Sequence, residues 1–356
     1  MRAAVARSGR LEVVNISDPV PGPGQVLVRT LACGICGSDL HAAADLARFA
    51  ALTASVGGPG GLDPARDLVF GHEYCAEIVD HGASTERKLD IGARVCSVPI
   101  VFGATGPEAV GYSNTYPGAF AEYMVLQEAM LVAVPDDLAT ERAALTEPLA
   151  VGEHAVGLAR LTSDEACLVV GAGPVGLAVI ASLKARGHGP VIAADYSPMR
   201  RRLAEALGAD EVIDPALHSP FAKWSDLGVP ATLMERAVSD LLGGSTRDSV
   251  IFEAVGSPGV LQTIIDGAPP RARIVVVGVC METDRIEPFL AVTKELNVQF
   301  SFGYSPTEFA ATLGRLASAE LAVDRLVTHE IALDSLPGAF EALRQPGEYG
   351  KVLVRY

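Results

Sequence analysis

The stretch GAGPVG, residues 171–176, is the feature that most restricts the fold of this chain. It follows an apolar segment, residues 167–170, that predicts a buried β-strand, and it leads into a predicted helix. In such a turn the first glycine permits a tight bend, the second lets the backbone approach a pyrophosphate, and the third lets helix and strand pack closely. The residues predicted at the phosphates are Gly171, Gly173, Pro174, Val175 and Gly176.

An acidic residue follows the glycine motif at the distance expected of a dinucleotide site. Asp195 ends the next predicted strand, 24 residues beyond Gly171. A carboxylate at this position accepts a hydrogen bond from the ribose 2′-hydroxyl of NAD and repels the 2′-phosphate of NADP. Arg200, Arg201 and Arg202 come next and argue for NADP, but they fall on a predicted helix, where basic residues are often solvated. We therefore predict NAD as the cofactor, with Arg200 beside it.

The glycine motif lies within one of two differently patterned regions. Continuous Val- and Ile-rich strands alternate with helix-length segments over residues 150–297, which predicts a doubly wound parallel sheet of the Rossmann type. Residues 1–149 read as short strands separated by turns, which predicts an antiparallel, barrel-like β domain. The simplest organisation is discontinuous, with residues 298–356 returning to the β domain.

Composition and charge exclude several classes of protein. The chain has 356 residues, of which 49% are hydrophobic and 20% charged, as in a globular protein with two domains. Its net charge of -15 argues against a nucleic-acid or anionic-membrane partner. The first residues lack the apolar core of a signal peptide, and the six scattered cysteines do not form a disulfide framework. We expect a cytoplasmic enzyme with reduced thiols.

Chemically reactive side chains are concentrated in CGICGSDLH, residues 33–41, and in FGHE, residues 70–73. The Cys-x-x-Cys spacing invites a redox interpretation, but that motif belongs at the start of a helix in a small βαβ domain. Zinc is the better prediction, because Cys36 can supply a thiolate and His72 an imidazole from two neighbouring loops.

A catalytic zinc needs a third protein ligand when water or substrate takes the fourth position. Glu147, just before a predicted helix at the domain boundary, is the preferred acid. Glu73 competes for the role because it adjoins the histidine, and Glu153 is a weaker candidate.

Several motifs together resemble the zinc-dependent medium-chain alcohol and polyol dehydrogenases. They recur in the family's order over nearly the whole chain: CGICGSDLH, FGHE, PGAFAEYMVL, TEPLAVGEHAV, GAGPVG and GEYGKVLVRY. The resemblance implies a GroES-like β domain that carries the catalytic zinc. It also implies a Rossmann domain that binds NAD, with the reaction in the cleft between the two.

The same resemblance assigns roles to individual residues. Cys36 and His72 match zinc ligands, and Glu147 matches a third ligand that is cysteine in some members and glutamate in the polyol dehydrogenases. Glu73 matches an acid beside the metal that coordinates it in some members. The remaining matches are Ser38 for the hydroxyl that binds the substrate oxygen, His41 for the end of a proton relay, Asp39 for the acid that orients the zinc-binding histidine, and Lys351 for a basic residue at the cofactor pyrophosphate.

One departure from the family concerns a second, structural zinc. Many members hold it with four closely spaced cysteines, whereas residues 97–117 contain none. We therefore expect one catalytic zinc per subunit and a lobe held by packing alone. The implied reaction is hydride transfer between NAD and a polyol, secondary alcohol or aromatic alcohol, giving an aldehyde or ketone, in a homodimer or homotetramer.

Two other functions remain open from the sequence. A zinc-free enoyl or quinone reductase that uses NADPH has the same fold, but the metal-type side chains and Asp195 argue against it. A non-catalytic nucleotide-binding protein is also possible on fold alone, and the Ser38 and His41 pair argues against that.

Overall fold

The strand-rich and the alternating regions of the sequence form separate units in the computed structural model, which describes residues 1–7, 9–162, 164–344 and 349–356. The first unit contains Met1–Glu147, Phe309–Ala319 and Val327–Tyr356, and the second contains Pro148–Glu308 and Glu320–Leu326.

The N-terminal part of the chain is mostly strand. Its elements are β1 (Arg2–Arg7), β2 (Arg10–Asn15), β3 (Gln25–Gly34), α1 (Gly37–Ala44), α2 (Leu46–Ser55), β4 (Glu73–His81), β5 (Arg94–Ser97), β6 (Ile100–Gly103), β7 (Gly106–Ala109), β8 (Tyr123–Gln127), β9 (Leu131–Ala133) and α3 (Thr140–Ala143).

Strands and helices then alternate until the chain returns to the first unit. The alternating elements are α4 (Thr146–Ala159), β10 (Glu165–Val170), α5 (Pro174–Ala185), β11 (Val191–Ala194), α6 (Pro198–Ala206), β12 (Glu211–Ile213), α7 (Leu233–Leu242), β13 (Asp248–Glu253), α8 (Val260–Gly267), β14 (Arg273–Val276), α9 (Pro288–Thr293) and β15 (Asn297–Phe300). The final elements are α10 (Pro306–Ala317), β16 (Val327–Ala332), α11 (Leu336–Leu343) and β17 (Lys351–Arg355).

The main sheet of the first unit is largely antiparallel. Its order is β16-β17-β3-β4-β5-β9, and β8 also pairs with β3. Along β3, Val26, Val28 and Thr30 are fully buried while Arg29 between them faces solvent, the period of two expected of a strand with one core face. The C-terminal strand β17 pairs antiparallel with β3, so the end of the chain completes the sheet that the N-terminal part begins.

The second unit contains a six-stranded, wholly parallel sheet in the order β12-β11-β10-β13-β14-β15. The predicted doubly wound fold class is confirmed by this sheet, whose central strands are buried aliphatic runs. The predicted domain boundary at residue 297 is wrong. Strand β15 pairs in parallel with β14 through Asn297–Phe300, so backbone hydrogen bonding keeps these residues in the second unit.

None of the helices in the described residues is both long enough and apolar enough to cross a bilayer.

Candidate active site

Three predicted metal ligands meet where β3 ends and β4 begins. Because Gly34 of β3 pairs with Glu73 of β4, the residues just beyond one strand lie beside those that open the other. Cys36 caps the N-terminus of α1 in an extended conformation, and His72 immediately precedes β4. One donor atom from each of Cys36, His72 and Glu73 lies within 4.8 Å of the others.

This donor set fits a zinc ion. A thiolate, an imidazole and a carboxylate suit a borderline metal, and three protein ligands leave a fourth position open, as catalytic zinc requires. His72 and Glu73 are buried and Cys36 is half-buried, so the site is shielded from water on the protein side. His72 Nδ1 lies 3.2 Å from Asp39 Oδ1, the relation expected of an acid that orients a metal-binding histidine.

Without a bound cation, the surroundings of the cluster favour the protonated forms of His72 and Cys36. Burial lowers the pKa of His72, but the Asp39 carboxylate and the Cys36 sulfur outweigh that effect and leave this pKa well above its ordinary value. Burial, helped by the charge of Glu73, raises the pKa of the Cys36 thiol. Zinc binding at this site would therefore release protons, as is usual for thiolate and imidazole ligands.

Glu73 is also held by a buried lysine. Lys351 Nζ donates to Glu73 Oε1 at 2.7 Å, to Glu73 Oε2 at 2.6 Å and to the Ile35 carbonyl oxygen at 3.1 Å. Both charged side chains are 1% exposed. The assignment of Lys351 to the cofactor pyrophosphate is corrected by this geometry, because an ammonium has three N–H donors and all three are used here.

Glu147 does not belong to the group of donor atoms around Cys36. It sits in the first turn of α4 and is 9% exposed. Among the described residues the group of donor atoms contains Cys36, His72 and Glu73, and Glu147 is not a member of it. Of the two acids that the sequence left open, the geometry favours Glu73.

A hydroxyl network borders the cluster. Ser38 Oγ lies 3.1 Å from Cys36 Sγ and 2.9 Å from the Tyr112 hydroxyl, which in turn donates to Asp39 Oδ1 at 3.0 Å. The structure thus places Ser38 and Asp39 at the cluster, as predicted. His41 lies further along α1 and is exposed, outside this network.

Tyr112 is a site residue that sequence reasoning missed. Its ring stacks on Phe49 with centroids 5.0 Å apart and lies 5.3 Å from the His72 ring and 5.9 Å from the Phe70 ring. Burial raises the pKa of its hydroxyl well above the ordinary value, so the phenol stays protonated. In the sequence, Tyr112 is marked only as an aromatic residue within residues 97–117, and it belongs to no recognisable motif.

The lobe formed by residues 97–117 is held by polar contacts as well as packing. Strands β6 and β7 pair as a hairpin, and Ser113 Oγ donates to the buried Glu108 carboxylate at 2.5 Å. Gln25 Nε2 donates to the Tyr116 hydroxyl at 3.1 Å. The expectation of packing alone is therefore wrong, since a buried carboxylate needs such donors.

The glycine loop in the second unit has the geometry of a phosphate-binding turn. Gly171 has φ +91°, a left-handed conformation that favours glycine, and a Cβ on Gly176 would lie 1.9 Å from the Gly171 carbonyl oxygen. Gly173 caps α5, whose first residues are Pro174 and Val175, so the free N–H groups of the helix start here.

Asp195 anchors the glycine loop at the end of β11. Its carboxylate accepts from the Ala172 N–H at 2.8 Å and from the Ser197 N–H at 2.7 Å. Arg200 Nη1 lies 3.9 Å from Asp195 Oδ2, and its guanidinium passes beside Gly173. The predicted cofactor residues of the second unit are thus assembled in one place.

Comparison with known proteins places both regions in described families. Residues 22–136 match the model "Alcohol dehydrogenase GroES-like domain", and residues 174–318 match "Zinc-binding dehydrogenase". The chain is 34% identical to (R,R)-butanediol dehydrogenase of Bacillus subtilis strain 168, over 97% of this chain and 96% of that one. It is 28% identical to sorbitol dehydrogenase of the same strain, over 99% and 97%.

A solved structure agrees with these sequence matches. A zinc-binding dehydrogenase from Sinorhizobium meliloti 1021 bound to NADP superimposes with a TM-score of 0.80 at 26% identity, covering 100% of this chain and 99% of the other. The predicted combination of a GroES-like domain and a Rossmann domain is confirmed by these comparisons.

Proposed function

Because this chain belongs to the zinc-dependent medium-chain dehydrogenases, we propose that it oxidises a secondary hydroxyl of a small polyol or diol with NAD. It is an oxidoreductase that transfers a hydride between an alcohol and a nicotinamide cofactor. The Cys36, His72 and Glu73 cluster with the Ser38 hydroxyl against it carries the proposal. This cluster argues against a zinc-free reductase, because such an enzyme has no use for a set of metal-ligating side chains.

The residues around the cluster divide the chemical work. Cys36, His72 and Glu73 would hold the zinc, and Asp39 orients the imidazole. When bound, zinc supplies Lewis acidity at the alcohol oxygen and the nicotinamide accepts the hydride. Ser38 provides a hydroxyl beside the cluster that can take the proton of the substrate alcohol while it releases its own.

A proton taken up by Ser38 must reach solvent for turnover to continue. His41 is exposed on α1, and a solvent-facing imidazole can both take up and release a proton, which suits it to the end of that path. We therefore propose Ser38 and His41 as the two ends of the proton route.

The substrate class follows from the site and from the relatives. Butanediol and sorbitol, named for two relatives, both carry neighbouring hydroxyls on a short carbon chain. In this chain Phe49 and Tyr112 form a stacked aromatic wall beside the cluster, where a short carbon chain can pack. The polar edge of that wall is the Tyr112 hydroxyl together with Ser38.

The preference for NAD rests on Asp195. A carboxylate at the end of β11 favours a free ribose 2′-hydroxyl over a 2′-phosphate. Arg200 lies close enough to offset part of that repulsion, and one related structure binds NADP. We propose NAD as the preferred cofactor, with Arg200 contacting it.

Metal count and assembly complete the proposal. We propose one zinc per subunit, supported by the single cluster of donor atoms found among the described residues. We also propose a cytoplasmic homodimer or homotetramer that pairs along the exposed edge strand β15. Apolar side chains are exposed on the preceding helix, at the end of β15 and just after it: Phe289, Val292, Phe300 and Phe302.

A substrate panel tests the function. The purified protein, with its metal measured by mass spectrometry, is mixed with NAD or NADP and with diols, sugar alcohols, simple secondary alcohols and aromatic alcohols. We expect NADH absorbance with diols or polyols, about one zinc per chain, and kcat/KM at least about 10-fold higher with NAD. Absence of NADH with every alcohol in a zinc-loaded protein would refute the proposal.

A further inference from the structure

Tyr112 occupies a position between two groups of the active site that no sequence motif marks. Its hydroxyl lies 2.9 Å from Ser38 Oγ and 3.0 Å from Asp39 Oδ1. Its ring is held by the stack on Phe49 at 5.0 Å and by contact with the His72 ring at 5.3 Å. Because the ring is packed on two sides, the hydroxyl has little freedom to leave this position.

The hydrogen count at this position limits the direction of each bond. A phenol has one hydrogen, and a carboxylate can only accept. The Tyr112 hydrogen therefore goes to Asp39, which is fully buried. Toward Ser38 the phenol oxygen can then only accept, so the single Ser38 hydrogen has two acceptors in reach, the Tyr112 oxygen at 2.9 Å and the Cys36 sulfur at 3.1 Å.

The direction of the Ser38 hydrogen decides what Ser38 can do. A serine hydroxyl has one hydrogen and two lone pairs. When its hydrogen goes to Tyr112, Ser38 presents its lone pairs to a substrate hydroxyl and accepts a hydrogen bond from it. Without Tyr112, the remaining acceptor for the Ser38 hydrogen is the Cys36 sulfur, 3.1 Å away.

We propose that Tyr112 is a positioning residue that keeps Ser38 a hydrogen-bond acceptor toward the substrate and draws the Ser38 hydrogen away from the Cys36 sulfur. This inference rests on the proposed alcohol oxidation, since it assigns Tyr112 a part in that reaction. Tyr112 acts through Ser38, so its effect should disappear when Ser38 is removed.

A double-mutant cycle in the zinc-loaded enzyme tests the catalytic part. Tyr112→Phe keeps the ring and removes the hydroxyl, and we expect kcat to fall about 10-fold with KM within about twofold of wild type. Ser38→Ala should lower kcat at least as far, and Ser38→Ala/Tyr112→Phe should match Ser38→Ala alone. Tyr116→Phe is the control, because its hydroxyl belongs to the same lobe but bonds Gln25.

A cobalt-substituted protein gives a readout that does not need turnover. A stronger hydrogen bond from Ser38 to the Cys36 thiolate lowers the energy of the sulfur lone pairs, so in Tyr112→Phe the sulfur-to-cobalt charge-transfer absorption should move to higher energy. The band should coincide in Ser38→Ala and Ser38→Ala/Tyr112→Phe, and Tyr116→Phe should match wild type.

The two arms separate failure of this inference from failure of the proposed function. Additive losses of kcat in the cycle, or a Tyr112→Phe band and kcat equal to those of wild type, would overturn the role of Tyr112. A wild-type protein that oxidises no alcohol would overturn the proposed function instead, and the cobalt band would still report whether Tyr112 directs the Ser38 hydrogen.

Discussion

The metal-type cluster and the glycine loop are built in opposite ways. The glycine loop is one contiguous stretch whose glycines, helix start and strand end are neighbours in the chain. The cluster gathers Cys36 from the end of β3 and His72 with Glu73 from the start of β4, and it depends on the pairing of those strands. A contiguous site is specified by local geometry, whereas an assembled site is specified by the sheet.

The two regions also handle charge differently. Asp195 in the second unit accepts two backbone N–H groups, so its carboxylate is satisfied by peptide dipoles. Glu73 in the first unit is satisfied by the Lys351 ammonium, itself 1% exposed. A buried ion pair depends on both partners, because either charge left alone carries a large desolvation cost. The cluster should therefore be the more fragile of the two regions.

Removal of the thiolate should have the largest effect. We expect Cys36→Ser to lose bound zinc and to lower kcat/KM by at least about 10³-fold, because Lewis acidity contributes several kcal/mol to such reactions. Metal analysis and steady-state kinetics measure both. NAD affinity, followed by fluorescence titration, should stay within about twofold if the regions are independent. Cys280→Ser, in the second unit, is the control, and full activity in a metal-free Cys36→Ser protein would contradict the assignment.

A methyl group at Gly176, the third glycine of the motif, should disrupt the glycine loop. In Gly176→Ala the new Cβ would meet the Gly171 carbonyl oxygen at 1.9 Å, so the turn must open. We expect NAD affinity to fall by about 100-fold and stability by about 1–3 kcal/mol, the usual cost of overpacking. Zinc content should be unchanged.

The matched control for the loop is Gly157→Ala. That glycine lies in α4 with no atom within 4 Å of a built Cβ, and alanine favours a helix. Calorimetry of NAD binding compares the two variants. Equal affinities in Gly176→Ala and Gly157→Ala would show that close packing at the loop is not required.

Loss of the buried ammonium tests the fragility of the cluster. Lys351→Met leaves the Glu73 carboxylate buried without its partner, and we expect unfolding free energy to fall by about 3–5 kcal/mol. Lys351→Met/Glu73→Gln should recover part of the loss, because no charge is then stranded. Denaturant unfolding of the zinc-free protein measures this without the metal.

An exposed ion pair provides the comparison for Lys351. Lys88 and Glu86 pair at 2.9 Å, but their side chains are 68% and 70% exposed. Lys88→Met should therefore lower stability far less than Lys351→Met does, because water and salt screen an exposed pair. A Lys351→Met variant no less stable than Lys88→Met would show that the buried pair contributes nothing.

The smallest expected effect concerns cofactor choice. Asp195→Asn keeps a hydrogen-bond acceptor but removes the charge that repels a 2′-phosphate, with Arg200 Nη1 only 3.9 Å from the carboxylate. We expect the preference for NAD over NADP, measured as a ratio of kcat/KM values, to fall by about 10-fold. An unchanged ratio would place the source of the preference elsewhere.

Much of this architecture could be predicted because its signals are local. The turn at Gly171, the helix start at Pro174 and the acid Asp195 belong to one βαβ repeat, and their spacing alone identifies a dinucleotide site. Cys36 and His72 were recognisable because thiol and imidazole in adjacent loops suit zinc. The prediction of a domain boundary at residue 297 was wrong, because a short edge strand has no distinctive sequence pattern.

Other features were decided only by tertiary structure. Glu73 and Glu147 are equally acidic in the sequence, and strand pairing alone brings Glu73 to the other donors. The family resemblance assigned Lys351 to the cofactor pyrophosphate. In the structure, β17 pairs with β3, and the Lys351 ammonium donates to Glu73 instead. Tyr112 had no motif, and only the folded lobe sets its hydroxyl on Ser38.

By itself, the sequence determined the two fold classes, the nucleotide loop and the presence of a metal-type site, since these depend on residue type and short spacing. Tertiary structure decided which acid lies beside the thiol and imidazole, which lysine pairs with that acid, and which hydroxyl contacts Ser38. The physical reason is that contacts across paired strands depend on register, and register is a property of the whole sheet.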